Sequence, residues 1–369
     1  MNVKYDAVIF IANRFGFGPS ATAIAVMGEL VKTWKGNIVY GASKMCRELL
    51  PKILLNKIVV YDLDERNDRE LKILFKKYKN PLIVISMNRI AIKTAKSMGL
   101  KSIFIDSLAW FWKEIPKEYL LADTYYYFDI FDINRRISRA TNIKAISPIL
   151  GDLPKPKLIK NKKILAHIGG FETPFIKELS KSYLLLLSEV LNTQNLDIEI
   201  IVTGGSRALS YLKVFVKRPN VEIVTLERNN FLNLLNSVSH FITTPGLTSS
   251  LEAFYLLTPT SFILPSNLSQ WHQLKFFQSY GVAVRKLEWE DYLSFDHDFY
   301  NLTEKEAIPM FYELADILYK NKTKKVLFTN NAVSMLQSIP DNTKQKAYID
   351  KIGINGAKFV VEDLLRILI

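Results

Sequence analysis

Short apolar runs alternate with stretches of helical periodicity through the first 110 residues. Such alternation is typical of α/β proteins whose parallel sheets are covered by helices on both faces. It predicts a doubly wound parallel sheet. The predicted strands are "YDAVIFIAN", "NIVYGAS", "KIVVYDL", "PLIVISM" and "KSIFIDS", and the predicted helices span residues 20–34, 43–56, 68–78 and 90–98.

The pattern starts again after residues 147–163, a segment with three prolines and a basic run that we interpret as a linker. Two Rossmann-like domains facing across a cleft are therefore expected, at residues 1–152 and 160–345, with ligands at the carboxyl ends of the strands. The second set of predicted strands is "ILAHIGG", "IEIIVTGG", "VEIVTL", "HFITTPG" and "PTSFILP", and its predicted helices span 174–191, 230–238 and 249–256, before a largely helical tail over 301–369.

Glycine is scarce in this chain, yet seven of its 15 glycines directly follow an apolar run. Glycine there allows a tight turn and a close approach of the backbone to a ligand, although turns between strands and helices also favour it for local reasons. The seven are Gly16, Gly18, Gly169, Gly170, Gly204, Gly205 and Gly246.

The first glycine loop has the spacing of a dinucleotide-binding fingerprint, since Gly16, Gly18 and Ala21 spell G-x-G-x-x-A. That fingerprint needs an acidic residue near the end of the second strand to hold the ribose. The corresponding stretch "NIVYGASKM" has no Asp or Glu, which disfavours a nicotinamide cofactor. The loop still presents backbone N–H groups at a helix start.

Composition narrows the partners and the compartment. The net charge of +13 favours anionic partners, or else reflects a solvated lysine-rich surface, and the lysines are scattered except in "KPKLIKNKK" at 155–163. The single Cys46 excludes an internal disulfide and fits a reducing, cytoplasmic location. No signal peptide, membrane span or aromatic-basic RNA-binding motif is evident, and no histidine or carboxylate pair has metal-ligand spacing. We expect neither a metal nor a cofactor.

Residues 243–273 contain the strongest candidate chemistry. Pro245 and Gly246 form a turn after a strand, and Leu247, Thr248 and Ser249 open a helix, which is a natural phosphate site. Glu252 follows one turn later. Its carboxylate can accept two hydrogen bonds from a ribose, or it can simply complement the helix dipole.

The stretch "PGLTSSLEA" resembles the donor-binding motif of GT-B glycosyltransferases, and the closest type is the MurG-like N-acetylglucosaminyltransferase. The interval from Gly246 to Glu252 is kept, and Pro259, "SFILP" and "SQWHQ" follow in the family's order. The resemblance covers roughly residues 160–285 and implies a fold in which the last helix, within 346–369, returns to the first domain; a helix that forms a dimer is the alternative.

The same resemblance assigns roles residue by residue. It implies that Glu252 holds the ribose of a UDP-sugar, that Thr248 and Ser249 hold the diphosphate with Leu247 beside them in the donor site, and that the backbone at Glu227–Arg228 faces the uracil. It places Gln270, His272 and Gln273 at the sugar. Its glycine-rich loops bring to the donor site Gly16, Gly18, Ser20, Gly169, Gly170, Phe171 and Gly204.

A narrower resemblance rests on "FGFGPSATA" and "DSLAWFW", which are similar to the branch related to cytosylglucuronate synthase. It implies a cytosine-type acceptor and UDP-glucuronate as donor. Trp110 and Trp112 would then form a stacking platform for the acceptor, although core packing explains one of them equally well.

Inverting transfer to a hydroxyl needs a base within reach of the acceptor. Many GT-B relatives place a histidine in the first glycine loop, where this chain has Pro19, and no histidine precedes His167. Three possibilities remain open: Asp106 at a strand end, Glu172 in the second-domain loop, or an acceptor that needs little deprotonation. For Asp106, a turn-starting cap is an equal alternative.

The resemblance therefore implies a UDP-sugar-dependent transferase that acts on a small-molecule acceptor with inversion. A nucleotide-sugar hydrolase or epimerase on the same fold is the alternative, as is an inactive relative that only binds a UDP-sugar. Peripheral contact with a membrane is also open. The oligomeric state is not indicated.

Overall fold

The computed structural model describes residues 5–14, 18–47, 49–133, 141–171, 178–194, 197–295 and 298–368. The chain divides into two compact units, of which unit 1 comprises Met1–Asp152 with Ile352–Ile369 and unit 2 comprises Leu153–Lys351. Residues 153–159, which lie in the expected linker, thus belong to unit 2. Residues 346–351, expected with the last helix, also belong to unit 2, whereas the final helix itself belongs to unit 1. Within the described ranges, no helix is long and apolar enough to cross a bilayer.

Unit 1 is built on a parallel sheet with the strand order β3-β2-β1-β4-β5-β6-β7. Its central strands are buried on both faces, which explains their uninterrupted apolar sequences. The strands are β1 Ala7–Ala12, β2 Asn37–Ala42, β3 Val59–Asp62, β4 Pro81–Ser86, β5 Ser102–Asp106, β6 Thr124–Phe128 and β7 Ile143–Ile146.

The helices of unit 1 begin where the sequence supplies capping residues. Asn67 and Asn88 accept backbone N–H groups at the starts of their helices. The helix expected at 43–56 is wrong as a single element, because Pro51 lies between two short helices, directly before the first residue of the second. The helices are α1 Gly18–Thr33, α2 Lys44–Arg47, α3 Lys52–Leu55, α4 Asp68–Phe75, α5 Arg89–Ser97 and α14 Gly356–Leu368.

The buried carboxylate of Asp363 holds helix α14 to the sheet of unit 1. Asp363 is buried and accepts a hydrogen bond from the Tyr126 hydroxyl at 2.7 Å, and it pairs with Lys144. These two partners lie on β6 and β7, and α14 also packs against α1. Together the contacts lower the pKa of Asp363, with Lys144 and Tyr126 overcoming the opposing effect of burial.

Unit 2 contains a second parallel sheet, with the order β10-β9-β8-β11-β12, so the predicted pair of parallel α/β domains is confirmed. Its strands are β8 Asn161–Ile168, β9 Ile200–Gly204, β10 Val221–Ile223, β11 Val238–Thr243 and β12 Thr260–Phe262. Its helices are α6 Lys181–Leu191, α7 Ser206–Phe215, α8 Arg228–Leu235, α9 Leu247–Tyr255, α10 Leu268–Ser279, α11 Glu304–Lys320, α12 Lys322–Gln337 and α13 Thr343–Ile352.

The strand order of unit 2 reverses between β8 and β11, which are neighbours in the sheet. Successive crossovers leave the sheet in opposite directions at this point, and a crevice opens at the carboxyl ends of the two strands. The glycine loop after β8 and the glycine turn after β11 therefore come together at the edge where such sheets bind ligands.

Candidate functional site

The start of α9 has the features of an anion site. Gly246 is the residue before the helix, lies in an extended conformation and supplies no side-chain cap, and the first turn contains no acidic residue. The first N–H groups of a helix have no partner within the helix, so they carry partial positive charge toward an incoming anion. Ser249 and Ser250 donate their hydroxyls back to the Gly246 carbonyl, at 3.3 and 2.6 Å. Thr248 is half-buried at the same turn.

The glycine loop after β8 is held against the turn that precedes α9. The backbone N–H of Gly169 donates to the Thr244 hydroxyl oxygen at 3.1 Å, and that hydroxyl donates to the Gly169 carbonyl at 2.9 Å. Gly170 has a φ of +76°, and a Cβ there would lie 2.3 Å from Gln270 Nε2. Only glycine satisfies both the conformation and the close approach.

Gln270 holds this loop in place through both ends of its amide. Its Nε2 donates to the Gly169 carbonyl at 3.0 Å, and its Oε1 accepts from the backbone N–H and the hydroxyl of Ser266 at 2.8 and 3.0 Å. The side chain is buried. The carbonyl oxygen of the Gln270 amide and one of its two N–H groups are thus used within the protein, and a direct contact of Gln270 with a sugar stays a prediction.

Gln273 lies one helical turn after Gln270, on the same face of α10. It is buried, and within the described part of the chain its Nε2 has no hydrogen-bond partner. His272 is half-buried, with its ring against Trp271 and Tyr300, and burial lowers its pKa to about 4. The imidazole is therefore neutral at pH 7.

Glu252 forms an ion pair with Arg228, the first residue of α8. Arg228 Nη2 lies 2.6 Å from Glu252 Oε1, and the glutamate side chain is only 2% exposed while the arginine side chain is 20% exposed. Burial raises the pKa of Glu252, and the adjacent guanidinium opposes that rise. The sequence indicated a backbone contact near Arg228, whereas the structure shows its side chain beside the predicted ribose-binding carboxylate.

Two other predicted donor-site residues have structural explanations. Phe171 is buried and packs edge-on against Tyr183, with ring centroids 4.7 Å apart, so it is a core residue. Gly204 ends β9, and a Cβ there would lie 2.4 Å from the Ile168 carbonyl oxygen. Its glycine is thus required by the packing of β9 on β8.

Unit 1 contains the predicted acceptor-side residues. Gly18 opens α1, but Ser20 is buried beside the Tyr40 hydroxyl and the Cys46 thiol, inside the unit. A direct contact of the Ser20 side chain with a donor is therefore not supported. Gly16 and Glu172 lie outside the described residues.

Asp106 ends β5 and is completely buried. The Leu108 N–H donates to its Oδ1 at 2.6 Å, and Trp112 Nε1 and the Tyr125 hydroxyl donate to its Oδ2 at 3.0 and 2.6 Å. Burial raises the pKa of Asp106 to about 6. These contacts make Asp106 a positioning residue for Trp112, and its role as a base stays a prediction that this burial weighs against.

The two tryptophans of the "DSLAWFW" stretch have different environments. Trp110 is buried and donates its Nε1 to the Ser107 carbonyl at 3.0 Å, so it belongs to the core. Trp112 is half-buried, with its ring edge-on to Phe111 and Tyr119, and its role as an acceptor platform stays a prediction.

Sequence reasoning missed Thr244 and Asn267, which fix the site's loops. Asn267 caps α10 by accepting the N–H of Gln270 and donates its amide to the Gly170 carbonyl at 3.2 Å. An Asn that directly precedes a helix was a usable signal for the cap, but nothing in the sequence indicated its contact across to Gly170. No group of three or more metal-ligating side chains occurs among the described residues.

Solved structures resemble the whole chain at low sequence identity. MurG of Acinetobacter baumannii is 14% identical with a TM-score of 0.52, over 98% of this chain and 99% of that one. UGT89C1 of Arabidopsis thaliana complexed with UDP is 11% identical with a TM-score of 0.58, over 98% of both chains. UDP-GlcNAc 2-epimerase of Neisseria meningitidis bound to UDP-GlcNAc is 14% identical with a TM-score of 0.56, over 98% of this chain and 99% of that one.

No protein-family model matches the chain, and no curated protein matches it in sequence. At such identities the likeness concerns the fold. The two parallel α/β domains, with the glycine turn of unit 2 at the reversal of its strand order, therefore have the GT-B fold.

Proposed function

We propose that the protein is a glycosyltransferase that takes its sugar from a UDP-sugar. The proposal rests on the start of α9, which has no side-chain cap and no acidic residue in its first turn. This helix start lies where the strand order of unit 2 reverses. In sugar transfer the leaving group is a nucleoside diphosphate, and negative charge grows on it as the glycosidic bond breaks. Preorganised N–H groups aimed at that charge stabilise the transition state more than the ground state.

The other residues of unit 2 fit a nucleotide-sugar around that helix start. The Glu252 carboxylate would accept the two ribose hydroxyls, and Arg228 would favour its ionised form against the effect of burial. The unpartnered amide nitrogen of Gln273 would donate to a sugar hydroxyl. The Gly169–Gly170 loop would bring backbone close to the transferred sugar.

For the acceptor we propose a small planar molecule of the cytosine type, with UDP-glucuronate as donor and inversion at the sugar carbon. This finer proposal is supported by the resemblance of "FGFGPSATA" and "DSLAWFW", and by the half-buried Trp112 ring that Asp106 orients. A ring-nitrogen nucleophile would also need no strong base. That requirement suits a chain with no histidine before His167.

The test is UDP release from a panel of UDP-sugars, with and without cytosine and a panel of phenolic and alcohol acceptors. A transferase releases UDP only when its acceptor is present, and a glycosylated product of matching mass appears. UDP release without any acceptor would instead identify a hydrolase. Interconversion of the sugar without net UDP accumulation would identify an epimerase, the activity named for the Neisseria meningitidis structure.

A further inference from the structure

The segment 155–163, "KPKLIKNKK", leads into β8 and carries two unusual side chains. Leu158 is 87% exposed and Ile159 is 90% exposed, which makes them the most exposed large apolar residues in the described ranges. Isolated exposed apolar residues are common, but two adjacent aliphatic side chains almost entirely in water carry a real hydration cost. We refer to these two residues as the apolar tip.

The apolar tip is presented by a firmly held backbone. On its N-terminal side, Asn236 donates to the Lys155 carbonyl at 2.8 Å and accepts from the Lys157 N–H at 2.9 Å. On its C-terminal side, the Lys160 ammonium donates to the carbonyls of Asn236 and Leu256 at 2.9 Å each and to the Thr258 hydroxyl at 3.2 Å. Asn236 is itself buried. The tip therefore protrudes from an anchored loop.

The sequence of this segment is strongly basic, while Asp197 and Glu199 line the same surface depression as Lys162 and Lys163. Five lysines and no acidic residue lie between positions 155 and 163. Lys155, Lys157 and Lys162 are exposed, whereas Lys160 is used by the anchor and Lys163 pairs with Glu199 at 2.5 Å. The nearest acidic residue upstream is Asp152, which pairs with Lys32 at 3.2 Å.

We propose that residues 155–163 form a docking loop for an anionic lipid surface, with Leu158 and Ile159 inserted among the acyl chains and the exposed lysines at the headgroups. Aliphatic insertion together with cationic contacts is how proteins bind reversibly to the surface of a bilayer. A nucleic acid would be expected to use aromatic side chains for stacking, and this loop has none. A stable protein interface needs about 800 Å² on each partner, usually with aromatic or arginine anchors, which a two-residue tip does not supply.

The loop lies away from the candidate donor site in the same unit. Lys160 binds the Leu256 carbonyl just after α9, whereas the candidate diphosphate site is at the start of that helix. A nine-residue helix is about 13 Å long at about 1.5 Å per residue. Docking through residues 155–163 therefore leaves the start of α9 accessible, so lipid binding and UDP binding are expected to be independent.

The test is co-sedimentation of the full chain with vesicles of phosphatidylcholine alone and of phosphatidylcholine mixed with phosphatidylglycerol. We expect binding to the mixed vesicles only, and weaker binding as salt increases. Leu158→Ser with Ile159→Ser is expected to weaken that binding by about tenfold or more. Lys155→Gln and Lys157→Gln are each expected to weaken it by about fivefold.

The matched control is Val326→Ser with Leu327→Ser. These adjacent aliphatic residues on α12 are 57% and 47% exposed and directly follow two lysines. They therefore resemble the apolar tip in residue type, but they lie on a helix and are less exposed. The control is expected to bind vesicles as the unaltered chain does, and all variants are expected to keep its thermal unfolding temperature. The proposal is overturned if the unaltered chain does not bind the mixed vesicles. It is equally overturned if the tip variant binds them as well as the control, since attraction would then be purely electrostatic or located elsewhere.

Discussion

Replacing Leu247 with proline removes one N–H group from the start of α9 and leaves the helix intact. Leu247 is the first helical residue, a position that proline occupies readily because its N–H has no partner within the helix. The residue before a proline must be extended, and Gly246 already has φ −91° and ψ 129°. The substitution therefore tests a single backbone donor.

The expected effect on UDP affinity follows from the charge of the ligand. A hydrogen bond to an ionised group contributes about 1.5–3 kcal/mol. At about 1.36 kcal/mol for each factor of ten, Leu247→Pro should raise the Kd for UDP by about 10- to 150-fold. Isothermal titration calorimetry with UDP measures the change directly, and the Kd for uridine should change far less.

Leu247→Ala is the matched control, because it removes the same half-buried side chain and keeps the N–H. We expect alanine to bind UDP within about threefold of the unaltered chain, which is the usual context dependence of a surface change. Equal UDP affinities for the proline and alanine variants, with helical content preserved by circular dichroism, would refute the placement of the diphosphate at this helix start.

Three further predictions concern buried polar groups. Glu252→Ala should weaken UDP binding by about 1.5–3 kcal/mol. The control Glu222→Ala, at an exposed glutamate of the same unit, should leave it unchanged. Equal UDP affinities of these two variants in calorimetry would remove Glu252 from the ribose site. Gln270→Ala should lower the free energy of unfolding, measured by urea titration, by about 2 kcal/mol or more, because Ser266 and Gly169 lose buried partners. Gln273→Ala should keep the free energy of unfolding, since its Nε2 has no partner among the described residues. In calorimetry it should weaken the binding of a UDP-sugar more than the binding of UDP. Burial raises the pKa of Asp106 to about 6, so between about pH 4 and pH 6 the folded protein holds a proton that the unfolded chain, with a pKa of about 3.9, has released. The free energy of unfolding of the unaltered chain should therefore fall by roughly 3 kcal/mol relative to that of Asp106→Asn as the pH rises through this range. Parallel pH profiles of the two proteins would contradict the raised pKa of Asp106.

The alternation of apolar runs predicted most of both sheets, because strands that are buried on both faces have uninterrupted apolar sequences. It missed β6, whose sequence "TYYYF" is aromatic rather than aliphatic, and β7, whose "IKAI" contains a lysine. Lys144 is tolerated there because Asp363 on α14 neutralises it. Asp363 is more than two hundred residues away in the chain, so the sequence around Lys144 does not predict this ion pair.

The candidate site was predictable where function depends on backbone, and less so where it depends on side-chain direction. The turn at Gly246 and the start of α9 follow from the local sequence alone. Gln270 and Gln273 look equivalent in sequence, yet the amide of Gln270 is used by Gly169 and Ser266 whereas Gln273 Nε2 has no partner among the described residues. Such distinctions arise from contacts between distant segments, which residue type and spacing do not specify.

The most direct measurement of the central claim is the affinity of the purified full chain for UDP compared with UMP and uridine, at low ionic strength. If the start of α9 binds a diphosphate, affinity should increase along the series uridine, UMP and UDP, with UDP at least about tenfold tighter than uridine. Leu247→Pro should remove most of that difference. Uridine binding as tightly as UDP, or UDP showing no saturable binding, would contradict the account.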